Sequence, residues 1–518
     1  MMSDNSPLPC RRRHVAVIVL GDVGRSPRMQ YHARSLLERG YFVSLVGYEG
    51  EDLIPDLNPD SKKWAINDSE EKLLHILRFK PCSPPIWLKK YKFFGKLPVG
   101  LPIFLFLRLF GLIFGLVYVL WFRLNKVNNR TVPIDCILVQ NPPSIPLLLL
   151  SYLYCITHTT RISSGQGRKE STRPGFVIDW HNLGYTMFDT SPNHPIKKIA
   201  KYYEMKLATL SSGNLCVTSE MKEYLTSKFR IKNDNITVLH DRPPEFFKST
   251  SLEEKHILMM KLRDEMELAC PELKEMRLND ADEEDEVTIF TKRRTLSNGR
   301  SEIVAKENQP VLLISSTSWT PDEDFSILLN ALVELNEKLN NDTSTKSTSF
   351  PHVVVIVTGK GPLKSMYQSQ ISKLNLNYFS IITMWLEAKD YPILLGCCDL
   401  GVSLHVSTSG FDLPMKIYDF FGCTVPVCAV WFKCLDELVQ DGFNGRIFRS
   451  SSELSSQIYD LFHGKKRDNV DNKFDGMLKS FRNNIREISR WRENWNENAH
   501  EMILASFPKT DSTKLKLE

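Results

Sequence analysis

The residues best suited to chemistry sit in short turns that follow apolar runs. Asp179-Trp180-His181-Asn182 closes the run that begins at Phe176, and either Asp179 or His181 could serve as general base toward an acceptor hydroxyl. A histidine at a strand end is also an ordinary structural residue. Asp22 and Glu220, at two other strand ends, are weaker candidates for the same work. Ser316-Thr317-Ser318-Trp319 and Gly359-Lys360-Gly361 offer hydroxyls, amides and one ammonium, a set that suits a diphosphate. Ser409 and Gly410 belong to a small-residue loop that leads into a helix N-terminus carrying Lys416 and Asp419 on one face. A carboxylate there could hold the two hydroxyls of a ribose, and a lysine a phosphate; the plain alternative is a local Lys–Asp pair. No zinc-protease motif, P-loop or Ser/Cys nucleophile arrangement occurs, and no metal site is expected.

A further turn lies near the start. Val15–Leu20 is a short apolar run, the pattern of a strand buried on both faces, and Gly21-Asp22-Val23-Gly24 breaks it. Ser26 is placed to cap the helix that follows and Pro27 to occupy its first turn. Unpaired amides at such a turn can hold an anion, and Arg25 and Arg28 would add full charges.

The elements that must position these turns alternate strand and helix. Tyr41–Gly47, Leu73–Arg78, Cys136–Gln140, Phe176–Asp179, Leu215–Ser219 and Ile236–Leu239 read as strands of one parallel sheet. A second series begins at Val311–Ser315 and continues through Val353–Val357, Ser380–Trp385, Leu400–Leu404 and Val425–Val430. The fold expected is α/β, two doubly wound Rossmann-like domains facing across a cleft, with ligands at the carboxyl ends of the strands. Residues 1–13 form a short polar and basic N-terminus, and 14–245 the first, acceptor-side domain. A linker with the acidic run Asp280–Glu286 spans 246–310; 311–480 is the nucleotide-sugar domain; 481–518 holds one amphipathic helix packing back across both domains, then a polar tail.

Leu101–Phe122 (LPIFLFLRLFGLIFGLVYVLWF) has the length and apolarity of a membrane segment, with lysines at 89, 90, 92 and 96 before it and Arg123 and Lys126 after. Cys136–Gln140 belongs to the same sheet as Val15–Leu20, and a sheet cannot form across a bilayer. The segment is therefore expected to lie in or dip into the interface rather than span. The basic flanks speak against a buried core helix. With a formal net charge of +5 over 518 residues, the chain is not marked for nucleic acid. The eleven cysteines lack any CxxC pair and residues 1–13 do not read as a cleaved targeting sequence, so reduced thiols in the cytosol are expected.

Read together, GDVGRSPRMQYHA (Gly21–Ala33), QNPPS (Gln140–Ser144), VIDWHN (Val177–Asn182), SSTSWTPDEDFSILL (Ser315–Leu329), TGKGP (Thr358–Pro362), WLEAKDYPILLG (Trp385–Gly396) and SGFDLPMKIYDFFGC (Ser409–Cys423) resemble the chitobiosyldiphosphodolichol beta-mannosyltransferase family. The resemblance implies a type B glycosyltransferase fold and inverting transfer of mannose from GDP-mannose to GlcNAc2-diphosphodolichol. It implies the cytosolic face of the endoplasmic reticulum membrane, with other dolichol-pathway mannosyltransferases as candidate companions. Trp385 and Leu386 join Ser316–Ser318, Gly359–Gly361, Ser409, Gly410, Lys416 and Asp419 on the donor side, with Asp419 at the ribose. Gly21, Gly24, Arg25 and Arg28 then fall on the acceptor and diphosphate side. The paired glutamates of retaining relatives are replaced by Asp412 and Asp419, which fits inversion and leaves the role of Asp412 open. The family usually carries an N-terminal anchor before its first strand, so either attachment here is expected to rest on 101–122 or the start of this chain is a variant or truncated one. No cofactor or metal is expected. A non-catalytic membrane-bound paralogue, binding nucleotide sugar or scaffolding other glycosyltransferases, and a soluble enzyme with a small acceptor are the alternatives.

Overall fold

Val15–Leu20 is enclosed on both faces. In the computed structural model it forms β1 (His14–Asp22), with β2 (Phe42–Tyr48) on one side and β4 (Cys136–Asn141) on the other, Val17 registering with Leu45 and Leu138. The structure describes residues 12–58, 61, 63–65, 72–80, 100–127, 130–163, 169–188, 190, 191, 193–278, 286–341, 350–407, 409–464, 467 and 474–508. Lys89, Lys90, Lys92 and Lys96, the loop 81–98, Asp280–Asp285, Thr408, the extreme N-terminus and the polar tail lie outside the described residues.

The chain divides into two compact units, Met1–His240 with Arg492–Glu518, and Asp241–Trp491. Unit 1 adds β3 (Leu74–Phe79), β5 (Gly175–Trp180), β6 (Gly213–Cys216) and β7 (Ile236–Val238), giving the parallel order β3-β2-β1-β4-β5-β6-β7. That order reverses direction between β1 and β4, the switch point at which doubly wound sheets bind ligands. Helices α1 (Pro27–Glu38), α3 (Leu147–Thr157), α4 (Pro195–Leu210) and α5 (Ser219–Phe229) connect the strands.

The segment expected at the membrane forms α2 (Gly100–Tyr118), continuing as a π-helical turn over Val119–Arg123. Leu116, Val119, Leu120 and Leu124 are buried in unit 1, so the segment rides on the unit. Among the described residues no helix is long and apolar enough to cross a membrane.

Residues 246–310, expected as a linker with an insertion, are largely built into unit 2. Helix α6 (Leu252–Ala269) starts with a capping box at Ser251 and Glu254, and Leu258, Met259, Leu262 and Met266 enter the unit's core. A hairpin, β8 (Thr291–Thr295) and β9 (Ser301–Ala305), follows. The second parallel sheet has the order β12-β11-β10-β13-β14-β15, from β10 (Val311–Ser316), β11 (Val353–Thr358), β12 (Phe379–Met384), β13 (Leu400–Ser403), β14 (Val427–Val430) and β15 (Gly445–Phe448). Its switch point lies between β10 and β13.

The single C-terminal helix expected over 481–504 is three shorter ones: Met477–Arg486, Trp491–Asn498 and His500–Ser506. Their apolar residues serve different cores. Phe481 and Ile485 are buried in unit 2, whereas Trp495 is buried in unit 1 and donates to His32 Nδ1 at 2.9 Å. Nine described cysteines are buried thiols in no disulfide.

Candidate active site

In unit 1 the chemistry converges on Asp179, the penultimate residue of β5, which has no exposed surface. Its Oδ2 accepts from Arg28 Nε at 2.8 Å and lies 3.1 Å from His32 Nε2 and 2.9 Å from His181 Nε2; its Oδ1 accepts from Arg28 Nη2 at 2.9 Å. Burial alone would raise the carboxyl; Arg28 and His181, with a hydrogen bond from His32, hold it well below the usual range. Burial lowers His32 and keeps it neutral. Because Trp495 donates to Nδ1 of His32, the His32 proton sits on Nε2 and points at Asp179.

The same carboxylate fixes His181. An ionised Asp179 accepts only, so His181 Nε2 carries a proton toward it and Nδ1 keeps the lone pair. The His181 amide donates to Asn141 O at 2.8 Å, and its side chain retains 24% exposure. The two candidates thus separate: His181 is open and oriented, Asp179 is sealed and orients it.

Two other expectations change. Arg28 is 4% exposed, locked to Asp179 and to Leu239 O at 2.9 Å, and so is not placed to meet a diphosphate. The amides of the Gly21–Gly24 turn are not an anion cradle either. Asp22 Oδ1 accepts from Gly24 N and Oδ2 from Glu51 N, both at 2.9 Å, while Arg25 N and Ser26 N bond Asp22 O and Val23 O. A carboxylate already occupies the turn, which also gives Asp22 a structural task. Ser26 stands at the N-cap, but its hydroxyl donates to Asp22 O and caps no helix amide. A Cβ at Gly24 would lie 2.3 Å from Glu51 O, so close packing explains that glycine. Arg25 remains exposed and pairs with Glu51 at 2.8 Å. Glu220 sits in the first turn of α5, where its charge complements the helix dipole.

In unit 2 the turns expected to hold a nucleotide gather at the switch point. Gly359, at φ +144°, and Gly361 bring the β11 loop against the β10 loop; a Cβ on either would lie within 1.8 Å of Thr317 O or Ser318 O. Lys360 Nζ stands 3.9 Å from the centroid of the Trp385 ring, which is 55% exposed, whereas Leu386 is buried. Ser316 Oγ lies 3.0 Å from Tyr391 Oη.

Lys416 pairs not with Asp419 but with Glu323, a residue the turn motifs did not single out. Glu323 is almost fully buried and takes hydrogen bonds from Thr317 Oγ1 at 2.9 Å, Ser318 Oγ at 2.8 Å and the Ser318 amide. Burial raises its carboxyl, but His405, Lys416 and the Ser318 amide outweigh this and hold it far below the usual range. His405, at the carboxyl end of β13, links Glu323 to Asp412: Nδ1 is 3.7 Å from Glu323 Oε1 and Nε2 is 3.9 Å from Asp412 Oδ2. Burial lowers His405, yet Asp412 and Glu323 more than reverse it, pushing it up to about 9. Ser407 and Ser409 donate to Asp412 Oδ1 at 2.5 and 2.7 Å; despite burial these bonds and His405 bring Asp412 down to about 2. Gly410 donates its amide to Ser407 Oγ at 2.9 Å. Asp419 has no hydrogen-bond partner for its carboxylate among the described residues, and burial pushes it up to about 8. No group of metal-ligating side chains occurs among the described residues.

No family model matches the chain. Curated relatives do. The chitobiosyldiphosphodolichol beta-mannosyltransferase of Mus musculus is 38% identical over 495 residues, 94% of this chain and 88% of its own length. That of Homo sapiens is 38% identical over 488 residues, 93% and 91%. The chain belongs to the chitobiosyldiphosphodolichol beta-mannosyltransferase family. It is a glycosyltransferase, and the non-catalytic alternative is not favoured. The UDP-glycosyltransferase TURAN of Arabidopsis thaliana is also similar, 37% identical over 88% of this chain and 90% of its own. Among solved structures, the catalytic domain of starch synthase IV from Arabidopsis thaliana matches at a TM-score of 0.54, with 11% identity over 96% of this chain and 99% of that one. Anabaena HepE, in complex with UDP and glucose, matches at 0.52, with 13% identity over 94% and 98%. At such identities the likeness is one of fold, and with the two doubly wound sheets it gives the type B glycosyltransferase architecture. For a mannosyltransferase of this family, Glu323 and His405 are the site residues that sequence reasoning missed. Glu323 lies inside a quoted motif and His405 four residues before Ser409, so only the pairing across the fold was out of reach.

Proposed function

We propose that this chain transfers mannose from GDP-mannose to GlcNAc2-diphosphodolichol with inversion, at the cytosolic face of the endoplasmic reticulum membrane. The observation that carries the reading is the alignment of relatives bearing that name across about nine-tenths of the chain, both units included. Unit 1 takes the acceptor. His181 Nδ1 removes the proton from the attacking hydroxyl as its oxygen bonds the anomeric carbon, and Asp179 steadies the imidazolium that forms. Unit 2 takes the donor. The bond from the anomeric carbon to the diphosphate breaks, and Lys360, Lys416, His405 and the Ser316–Ser318 hydroxyls meet the charge that develops on the leaving GDP. Asp419 accepts from the ribose hydroxyls, and Trp385 offers a face to the base. Those cations supply the charge a metal would otherwise bring, so no metal is required. Buried thiols in no disulfide fit a cytosolic setting.

The test is incubation of the purified chain with GDP-mannose and a GlcNAc2-diphosphate-phytanyl acceptor, with and without EDTA. A β-linked mannosylated product in both supports the reading. No product with nucleotide still bound overturns it, and loss of product in EDTA alone overturns the metal-free mechanism.

A further inference from the structure

Three neighbouring helices of unit 1 each turn an apolar stripe to solvent. On α2 and its π-helical end, Phe110, Phe114, Tyr118 and Phe122 recur at helical spacing and are 49–68% exposed. On α3 the stripe is Leu149, Leu153 and Ile156, each exposed although Leu147, Leu148 and Tyr154 on the other side are fully or almost fully buried. Helix α4 repeats the pattern with Ile196, Ile199 and Tyr202 outward and Ala200, Leu207 and Ala208 inward. Helix α3 packs against both α2 and α4, and Tyr203 of α4 ties them through its hydroxyl, which accepts from Leu149 N at 2.9 Å. The stripes therefore lie on helices that touch one another, and exposed apolar residues grouped in this way mark an interaction surface.

The charges on this face have one sign. Among the described residues Arg123 and Lys126 are exposed beyond α2, and Lys198 and Lys206 are exposed on α4. The one acidic residue in the three helices, Glu204, has no exposed surface and is hydrogen-bonded to Asn141 and the Tyr185 amide. Exposed apolar stripes edged by cations without accessible acids match an anionic bilayer surface, where aliphatic and aromatic side chains enter the acyl boundary and lysines meet lipid phosphates.

We infer that α4, through Ile196, Ile199, Lys198 and Lys206, forms with α2 and α3 a three-helix platform that seats unit 1 on anionic phospholipid. This rests on the lipid-linked acceptor proposed above, because the platform would bring the acceptor-binding unit to the surface in which such an acceptor lies.

The experiment uses the full chain, phosphatidylcholine vesicles with and without phosphatidylinositol, and two acceptors, one dolichol-linked in the vesicles and one short and water-soluble. Ile196→Glu with Ile199→Glu should lower vesicle partitioning at least tenfold and slow transfer to the dolichol-linked acceptor. Transfer to the soluble acceptor and the thermal midpoint should stay as in the parent. Lys198→Glu with Lys206→Glu should lower partitioning only where phosphatidylinositol is present, since each lysine is worth about fivefold at an anionic surface. Parent-like partitioning of the isoleucine variant overturns the inference and leaves the face to a protein partner. Vesicle binding without transfer to either acceptor would sink the catalytic reading while the platform stands.

Discussion

Asp179→Asn removes one negative charge from a site where no water can replace it. Arg28, 4% exposed, would keep its charge and lose the carboxylate that takes its Nε and Nη2. Removing one partner of a buried pair costs about 3–5 kcal/mol. For a unit of this size that lowers the thermal midpoint by about 6–20 °C. Activity should fall for a second reason. An asparagine can turn its amide nitrogen toward His181 Nε2, which then becomes the acceptor, so the proton moves to Nδ1 and the basic lone pair is lost. Misprotonation of a catalytic histidine costs on the order of 10²–10⁴ in kcat. The two effects are separable. Arg28→Met with Asp179→Leu removes both charges and should recover most of the stability, since apolar replacement of a whole buried pair is often neutral. It should not recover transfer, because nothing then fixes the His181 tautomer. Thermal unfolding by circular dichroism and kcat on a soluble acceptor decide the matter. A double variant that regains both stability and rate would refute the orienting role of Asp179, and an Asp179→Asn protein with the parent's midpoint would refute the buried pair.

Three further outcomes follow from unit 2. His405, at about 9 against an ordinary 6.5, binds its proton more tightly in the fold. Its contribution to stability is therefore complete below about pH 6.5 and lost as pH rises through 9. His405→Gln should flatten that alkaline limb in unfolding titrations and in the pH profile of kcat; an unchanged limb would exclude the residue. Asp419, raised to about 8, penalises the fold as the unfolded chain ionises between about pH 4 and 8. Asp419→Asn should thus raise the thermal midpoint at pH 8 more than at pH 4, while weakening GDP binding up to about tenfold, one lost hydrogen bond; calorimetry showing parent-like GDP affinity would remove Asp419 from the nucleotide site. Gly359→Ala places a Cβ 1.7 Å from Thr317 O at φ +144°, so the β10 and β11 loops must part. The donor KM should rise more than kcat falls, and an unaltered KM would show that the loop junction does not shape the donor site.

How far these sites were legible in the sequence depends on the range of the contact. The strands were readable because β-branched and leucine runs such as Val353–Val357 have no other way to bury both faces. The turns at Ser316 and Gly359 were readable because each ends such a run. The partners were not. Arg28 meets Asp179 across 151 residues and Lys416 meets Glu323 across 93, whereas the sequence offered the nearer Asp419. Local rules also failed where a competing acceptor won, as when Ser26 donated to Asp22 O instead of capping its helix. The C-terminal helix was misread as one element because its apolar pattern runs on through residues that belong to different cores.

The two charge clusters differ in a way that fits their separate tasks. Around Asp179 one carboxylate faces a guanidinium and two imidazoles, all fully enclosed except His181. A sealed cluster cannot exchange partners, which suits holding one tautomer ready through every turnover. Around Glu323 and Asp412 two carboxylates face Lys416 and His405, with Lys416 30% exposed and both His405 contacts at 3.7 Å or more. Such a cluster is neutral when empty, with the imidazole loosely joined and the lysine part-exposed, so an arriving diphosphate can draw the lysine and the imidazolium from the protein carboxylates onto itself. The carboxylates then retain the serine and threonine donors already bonded to them, so the exchange leaves neither buried acid unpaired. Neutralising Glu323 should therefore free Lys416 and tighten GDP, the product, more than it speeds transfer; a Glu323→Gln enzyme that binds GDP more weakly would show instead that Glu323 acts by placing the lysine.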